Sequence, residues 1–336
     1  MIVVMSHSRT RSFAAGLGAC IIALMGSGLW VDAQTQARAP RSASADAVPR
    51  TPWGDPDLQG VWSSDAESGV PFERPTELGT KASFTTEEFE QVLDERESQR
   101  ADRAPTLGGV TGAGPTHWFE DWGQRSNRTS LVIDPPDGRV PPLTPDARKR
   151  QASFQGGSSF GNGPFNSYTD FATWDRCITR GVPAVMFPMI YNNNSRITQA
   201  PGLVAITYEM VHETRIIPVD RRPHISDRLR QWLGDPRGYW DGDTLVVEST
   251  NFTNKTNYRG SGESLKLIEK FRRDGKGLRY EVTIDDPNTF TRSWTAALDL
   301  QPAVDMYEYA CHEGNYAMRN MLSGARAAER AAAGQK

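Results

Sequence analysis

The chain has 336 residues, 38% of them apolar and 24% charged, with a formal net charge of −3 and a pI near 6.0. That composition supports a sizeable core and excludes global disorder, and it lacks the basic stripe on which phosphate binding rests, so no nucleic-acid partner is expected. A mean hydropathy of −0.55 excludes a polytopic membrane protein, and 30 glycines, 22 prolines and nine tryptophans suit a turn-rich β protein better than a helical bundle.

The first segment reads as an export signal. Arg9 and Arg11 precede an apolar, small-residue run from Phe13 to Val31, and Val31-Asp32-Ala33 places small residues where a signal peptidase reads them. Residues 1–33 are therefore expected to be a cleaved signal peptide, with Gln34 as the mature start and a periplasmic or secreted destination. Four glycines in the run argue against an uncleaved anchor helix, and the apolar stretch beyond Cys20 argues against lipoprotein processing there. Cleavage removes two basic residues and one acidic one, taking the charge from −3 to −4; it leaves no integral membrane segment and two cysteines, Cys177 and Cys311. In an oxidising compartment these are expected to form one disulfide. The alternative is a reactive Cys311 thiolate beside His312, although neighbours on a strand face opposite ways.

Residues 34–50 have almost nothing to bury and read as a flexible tether. Asp57-Leu58-Gln59-Gly60-Val61-Trp62 predicts a first strand. Thr85 and Glu88 form a capping-box pattern ahead of a helix, with Phe84 and Phe89 placed as a hydrophobic staple; this helix should fray before Pro105. Leu131-Val132-Ile133 and Val140 flank Pro135-Pro136-Asp137-Gly138, a hairpin signal. The glycine-rich run Phe154–Gly163 lacks a following Lys-Ser/Thr and reads as a loop rather than a phosphate cradle. From residue 185 the β signal is dense. Leu203–Val219 covers two strands joined around Met210–Glu213, and Asp241-Gly242 turns the chain into Thr244–Thr250. Leu265–Arg272, Leu278–Ile284, Phe290–Leu300 and Met306–Cys311 follow as strands. Met318, Met321, Leu322 and Ala325 then recur at helical spacing and predict a C-terminal helix against the sheet.

The expected organisation is a strand-plus-helix and loop-rich region over 51–184, an antiparallel β domain with its C-terminal helix over 185–325, and a tail over 326–336. The expected fold class is mainly β, an antiparallel meander closing as a barrel. Gly60-Val61-Trp62, the meander and the terminal helix together resemble the lipocalin or calycin-like plan, in which such a strand closes the barrel floor; the resemblance implies a cup for a small apolar molecule. A broader likeness covers about Thr51 to Ala325. The stretches TPWGDPDLQGVW from Thr51, Trp232-Leu233-Gly234-Asp235, GDTLVVE from Gly242 and YACHEGNY from Tyr309 resemble a secreted bacterial family common in soil organisms. This likeness implies no activity. Where that family's pattern reads Asp-Gly-Arg-Pro-His, this chain has Asp220-Arg221-Arg222-Pro223-His224, which predicts a distorted turn at Arg221.

Candidate chemistry gathers on histidines. After signal removal four remain, His117, His212, His224 and His312, and three of them stand in polar clusters: Glu209–Arg215, Asp220–His224 and His312-Glu313. Histidine shuttles protons near neutral pH, and a neighbouring carboxylate orients it. If the strand is regular, Tyr208, Met210 and His212 share one face and Glu209, Glu213 and Arg215 the other. The expected catalytic set is His212 as base with Arg215, Glu213, His224 and His312, and the expected ligand-binding set is Tyr191, Asn193, Tyr208, Trp240 and Trp294. Such a site suits a cofactor-independent lyase, hydratase or isomerase acting on a small apolar or aromatic molecule. The alternatives are a lipocalin-like carrier that only binds its ligand, and a purely structural role for these polar clusters. A histidine–carboxylate metal enzyme is a further alternative, but no His-Glu-x-x-His or His-x-His spacing occurs, so no metal or cofactor is expected. Gly157-Ser158-Ser159-Phe160-Gly161 has the Gly-x-Ser-x-Gly spacing, but it lies in the glycine-rich run with no clear strand before it, so a serine hydrolase is not expected.

Overall fold

A computed structural model describes residues 48–107, 126–153, 165–189, 191–255 and 258–334, which belong to one compact unit of the chain. The expected signal peptide, most of the expected tether, His117 and the Phe154–Gly163 run lie outside the described residues. No helix among them is long and apolar enough to cross a membrane.

Ten strands build one antiparallel sheet: β1 (Gly60–Ser63), β2 (Val132–Asp134), β3 (Asn194–Ala200), β4 (Leu203–Tyr208), β5 (Thr214–Pro218), β6 (Asp235–Asp241), β7 (Thr244–Thr250), β8 (Lys266–Asp274), β9 (Gly277–Asp285) and β10 (Trp294–Ala303). Their order is β5-β4-β3-β1-β10-β9-β8-β7-β6, with β2 also paired to β10. From β6 to β10 each strand pairs with its predecessor, as a meander does, and the strand that precedes them all, β1, is inserted between β3 and β10.

Alternation explains the inner face. Leu278, Tyr280, Val282 and Ile284 of β9 and Trp294, Ala296, Leu298 and Leu300 of β10 are buried, while their neighbours Arg279, Glu281, Thr283 and Thr295 are partly exposed. Trp62 packs beside them, its indole N–H donating to the Leu58 carbonyl at 3.0 Å. Gly60 has φ +145°, and a Cβ there would stand 3.5 Å from the Trp62 ring, so glycine is needed for backbone conformation more than for space.

The sheet curls. Arg215 on the terminal strand β5 reaches Ser249 on β7 and Glu269 on β8 across the interior. At the seam, a Cβ on Gly238 of β6 would lie 3.0 Å from Ile217 Cγ2 of β5, so the two terminal strands meet through a side chain packed on a glycine. No ladder joins β5 to β6 among the described residues, and the sheet is not closed by hydrogen bonds.

Among the described residues three α-helices accompany the sheet: α1 (Thr86–Leu107), α2 (Pro145–Ser153) and α3 (Ala317–Gly334). The capping box forms as expected: Thr85 N–H donates to Glu88 at 2.8 Å, and Glu88 N–H to Thr85 Oγ1 at 3.3 Å. Several expectations are corrected. The first helix continues through Pro105 to Leu107. The segment Leu131–Ile133 does not pair with Val140; β2 pairs with β10, because β10 offers it a free edge opposite β9. Residues 306–311 form no strand, their backbone being drawn instead into side-chain and loop contacts. Helix α3 runs on through the expected tail to Gly334, and Met318, Met321 and Leu322 are only half-buried, so it is not seated in the core.

Candidate functional site

Among the described residues the histidine with a carboxylate partner is His224. After β5 the chain crosses back to β6 through residues 219–234, and a turn at Asp220-Arg221-Arg222 starts the crossing. Arg222 N–H and its guanidinium bind the Asp220 carboxylate, holding that carboxyl down at about 2. Arg221 has φ +60°, the left-handed region that favours glycine. An arginine held there carries backbone strain that a glycine would not.

His224 Nδ1 lies 2.8 Å from Asp235 Oδ2. Asp235 is 3% exposed, also accepts Ile225 N–H at 3.1 Å, and forms an ion pair with Arg237 Nη1 at 2.7 Å. An ionised carboxylate only accepts hydrogen bonds, so with Asp235 as partner Nδ1 is the donor, and Nε2 is the ring nitrogen on which the neutral tautomer carries its lone pair. Asp235 occupies an outer-face position at the start of β6 and is buried because the 223–229 segment covers it. Asn251 staples that cover down, its side-chain amide donating to the carbonyls of Ile225, Ser226 and Leu229 at 3.2, 2.9 and 3.2 Å. Gly234, at φ +69°, permits the approach, since a Cβ would sit 2.5 Å from the Thr250 carbonyl oxygen.

His224 lines a cavity of about 330 Å³ with Arg221, Arg237, Tyr239 and Glu248 among its walls. Arg222 is engaged by Asp220 and Arg237 by Asp235, whereas Arg221 has no ion pair among the described residues. The cavity therefore combines an oriented imidazole with an uncommitted guanidinium. A larger open cleft of about 1110 Å³ lies between α2 and the loops after β7 and β9. It holds Arg150, Arg230 and Arg259 but no histidine, so chemistry rather than size selects the smaller cavity.

The other expected site residues fall in three places. Arg215 and Tyr208 are sealed in the interior. Arg215 binds both oxygens of Glu269 and the Ser249 hydroxyl, and Tyr280 donates to the same carboxylate at 3.0 Å. Burial lowers the pKa of Arg215, and Glu269 more than reverses that. Trp294 is 0% exposed among Phe72, Phe290 and Tyr258, Trp240 packs half-buried on the core, and Asn193 bridges Met189 and Asp65. His212, Glu213, Tyr191 and His312 lie along the loops beside the Cys177–Cys311 disulfide, which is present. There the strand is not regular: β4 ends at Tyr208, and Val211 and His212 both have positive φ. Exposed His212 accepts Tyr309 N–H at Nδ1 over 3.4 Å. Glu213 accepts the Thr179 hydroxyl at 2.6 Å, and burial raises its carboxyl.

Sequence reading missed Asp235 and Asn251, which become neighbours of His224 only through the crossing. Glu269 did carry a signal: it is a charged residue at an inward position between Leu267 and Phe271. Among the described residues no group of three His, Cys, Asp or Glu side chains is placed to hold a metal ion. Comparison with protein-family models, with curated proteins and with solved structures finds no match to this chain.

Proposed function

We propose that the chain is an exported, cofactor-independent acid–base enzyme, a lyase, hydratase or isomerase, with His224 as its base. The observation that carries this reading is the 2.8 Å contact between His224 Nδ1 and buried Asp235, which leaves Nε2 as the acceptor in a small cavity. The base is thereby moved from His212, which contacts a backbone N–H and no carboxylate. The substrate class moves too. A lining of Arg221, Arg222, Arg237 and His224 favours a small organic acid over an apolar or aromatic molecule. At about 30 Å³ for each water-sized group, the cavity suits a ligand of about ten non-hydrogen atoms. A lipocalin-like interior cup is less supported, because inward Leu245, Val247, Phe271, Tyr280 and Leu298 are all 0% exposed.

Arg221 would hold the substrate carboxylate and His224 Nε2 would take a proton from the adjacent carbon. The electron pair of the broken C–H bond then moves into the carboxylate, whose second charge the guanidinium offsets. That pair either expels a β-hydroxyl, which leaves as water with a returned proton, or is reprotonated at carbon. The test is deuterium uptake from heavy water at the α-carbon of small hydroxy acids, followed by NMR. Exchange that is lost in His224→Ala with acid binding retained supports the reading. Binding without exchange in the native protein would make it a carrier, and exchange unchanged in His224→Ala would remove His224 from the chemistry.

A further inference from the structure

Among the described residues Arg96, Arg180 and Arg215 each keep a sealed guanidinium nitrogen with no hydrogen-bond partner, and of these three Arg180 alone lies over an aromatic ring. Arg74, 3% exposed, donates to Thr129 and to the carbonyls of Gly79 and Pro136, and Arg215 is bound to Glu269 and Ser249. Arg128 donates to the Ala297 carbonyl and lies 3.7 Å from Glu67. Arg180 is half-buried with its Nε sealed from solvent, yet among the described residues it has no hydrogen bond and no ion pair. Its guanidinium lies over the Trp174 ring, 4.8 Å from the centroid, and the phenols of Tyr191, Tyr258 and Tyr309 are near enough to act on its charge. No carboxylate pairs with this cation among the described residues, and an orphaned buried donor is costly to keep.

The surrounding chain is tied together for this arrangement. Cys177, three residues before Arg180, is bonded to Cys311, two residues after Tyr309. Thr179 is hydrogen-bonded to Glu213, and Tyr309 N–H to His212. Tyr191 and Tyr309 stack at 6.3 Å, and Tyr258 stacks on both Phe187 and Trp294. A fork of guanidinium donors beside aromatic faces and phenolic hydroxyls matches one ligand chemistry: an oxyanion on a flat, apolar body.

We infer that Arg180, Trp174, Tyr191, Tyr258 and Tyr309 form a second binding site, separate from the His224 cavity, for an aromatic oxyanion. The oxyanion occupies the guanidinium and accepts from the phenols, while the ring packs on Trp174 and the tyrosines.

The test is calorimetric titration of the disulfide-bonded protein with benzoate, phenyl phosphate and benzamide. Benzoate and phenyl phosphate separate a carboxylate from a phosphate ligand, and benzamide keeps the shape without the charge. At least one oxyanion is expected to bind saturably, with benzamide weaker by roughly tenfold or more. Arg180→Gln should lose a similar factor and Arg180→Lys should recover part of it, because a point charge replaces the fork. Arg180→Met, which replaces the orphan cation with an apolar chain, should abolish binding while raising the unfolding temperature of the ligand-free protein. That rise distinguishes a lost ligand contact from a damaged fold. Failure of both oxyanions to bind, equal binding of benzamide, or undiminished binding by Arg180→Gln would each overturn the assignment.

Discussion

Arg215 and Glu269 form a two-pronged ion pair across the interior, with Arg215 Nη1 3.0 Å from Glu269 Oε1 and Nη2 on Oε2. In the sheet order their strands, β5 and β8, stand six steps apart, so the bond records how far the sheet curls. Both side chains are fully buried, at 1% and 0% exposure. Breaking the pair from one side strands a charge: Arg215→Ala is expected to cost about 3–5 kcal/mol. Replacing both with apolar residues, as in Arg215→Met with Glu269→Leu, should cost much less than the sum of the two single changes. Urea midpoints of the two singles and the double measure this, and additive losses would show that the two charges are not coupled.

Tyr208 shares that interior. Burial, with Glu269 adding to it, pushes its phenol up to about 12 against an ordinary value near 10. A raised pKa for an acid means that the native state holds the proton that the unfolded chain releases. The stabilisation is therefore fully present below pH 10 and is lost as pH rises from 10 towards 12. Two units correspond to roughly 3 kcal/mol. Tyr208→Phe should change stability little at pH 7 and flatten the alkaline decline, which denaturant titrations at neutral and alkaline pH would reveal. An equally steep decline in the variant would assign it to other groups.

Arg221 sets stability against chemistry. Its left-handed backbone costs an arginine about 1–2 kcal/mol that glycine does not incur. Arg221→Gly is expected to gain about 1 kcal/mol in stability, because glycine's greater unfolded-state freedom takes back part of the relief. The same change removes the uncommitted guanidinium from the His224 cavity. Thermal unfolding should rise while affinity for small organic acids falls. A rise without that fall would mean that the side chain plays no part in binding.

The Cys177–Cys311 disulfide closes a loop with a sequence separation of 134. Loop-closure entropy for a loop of that length is worth about 5 kcal/mol, an upper figure since measured effects are commonly smaller. Reduction should lower the unfolding temperature and free the strandless segment that follows β10. Proteolysis under reducing conditions is expected to begin near Tyr307, which is 67% exposed in that segment. Cleavage elsewhere first would show that the disulfide is not what holds the segment.

Much of the sheet was legible because its signals are local. Asp241-Gly242 and Asp274-Gly275-Lys276-Gly277 mark turns between alternating strands, and β6–β7 and β8–β9 pair across them. Thr85 and Glu88 mark a helix start that forms with its reciprocal hydrogen bonds. The expected strand at Met306–Cys311 failed for a physical reason. Its apolar content is real, but Tyr307 N–H is taken by Glu209 at 2.6 Å and Tyr309 N–H by His212, so no ladder is left to form. The site was half legible. His224 stood out as a rare titratable residue in a polar cluster, while Asp235 figured only in the Trp232-Leu233-Gly234-Asp235 likeness, with no chemical role expected of it.

Residue type and spacing alone therefore determined the mainly β character, the antiparallel hairpins, the capped helix and the availability of two cysteines, because each depends on neighbours a few positions away. Tertiary structure decided which strands are adjacent across long separations, and placed β1 between β3 and β10. It also decided which charges are paired. Arg215 found Glu269, His224 found Asp235, and Arg180 found no carboxylate among the described residues, although the sequence around the three cations does not separate these cases. The reason is that ion pairing depends on distance and burial, and both are set only when remote segments are brought together.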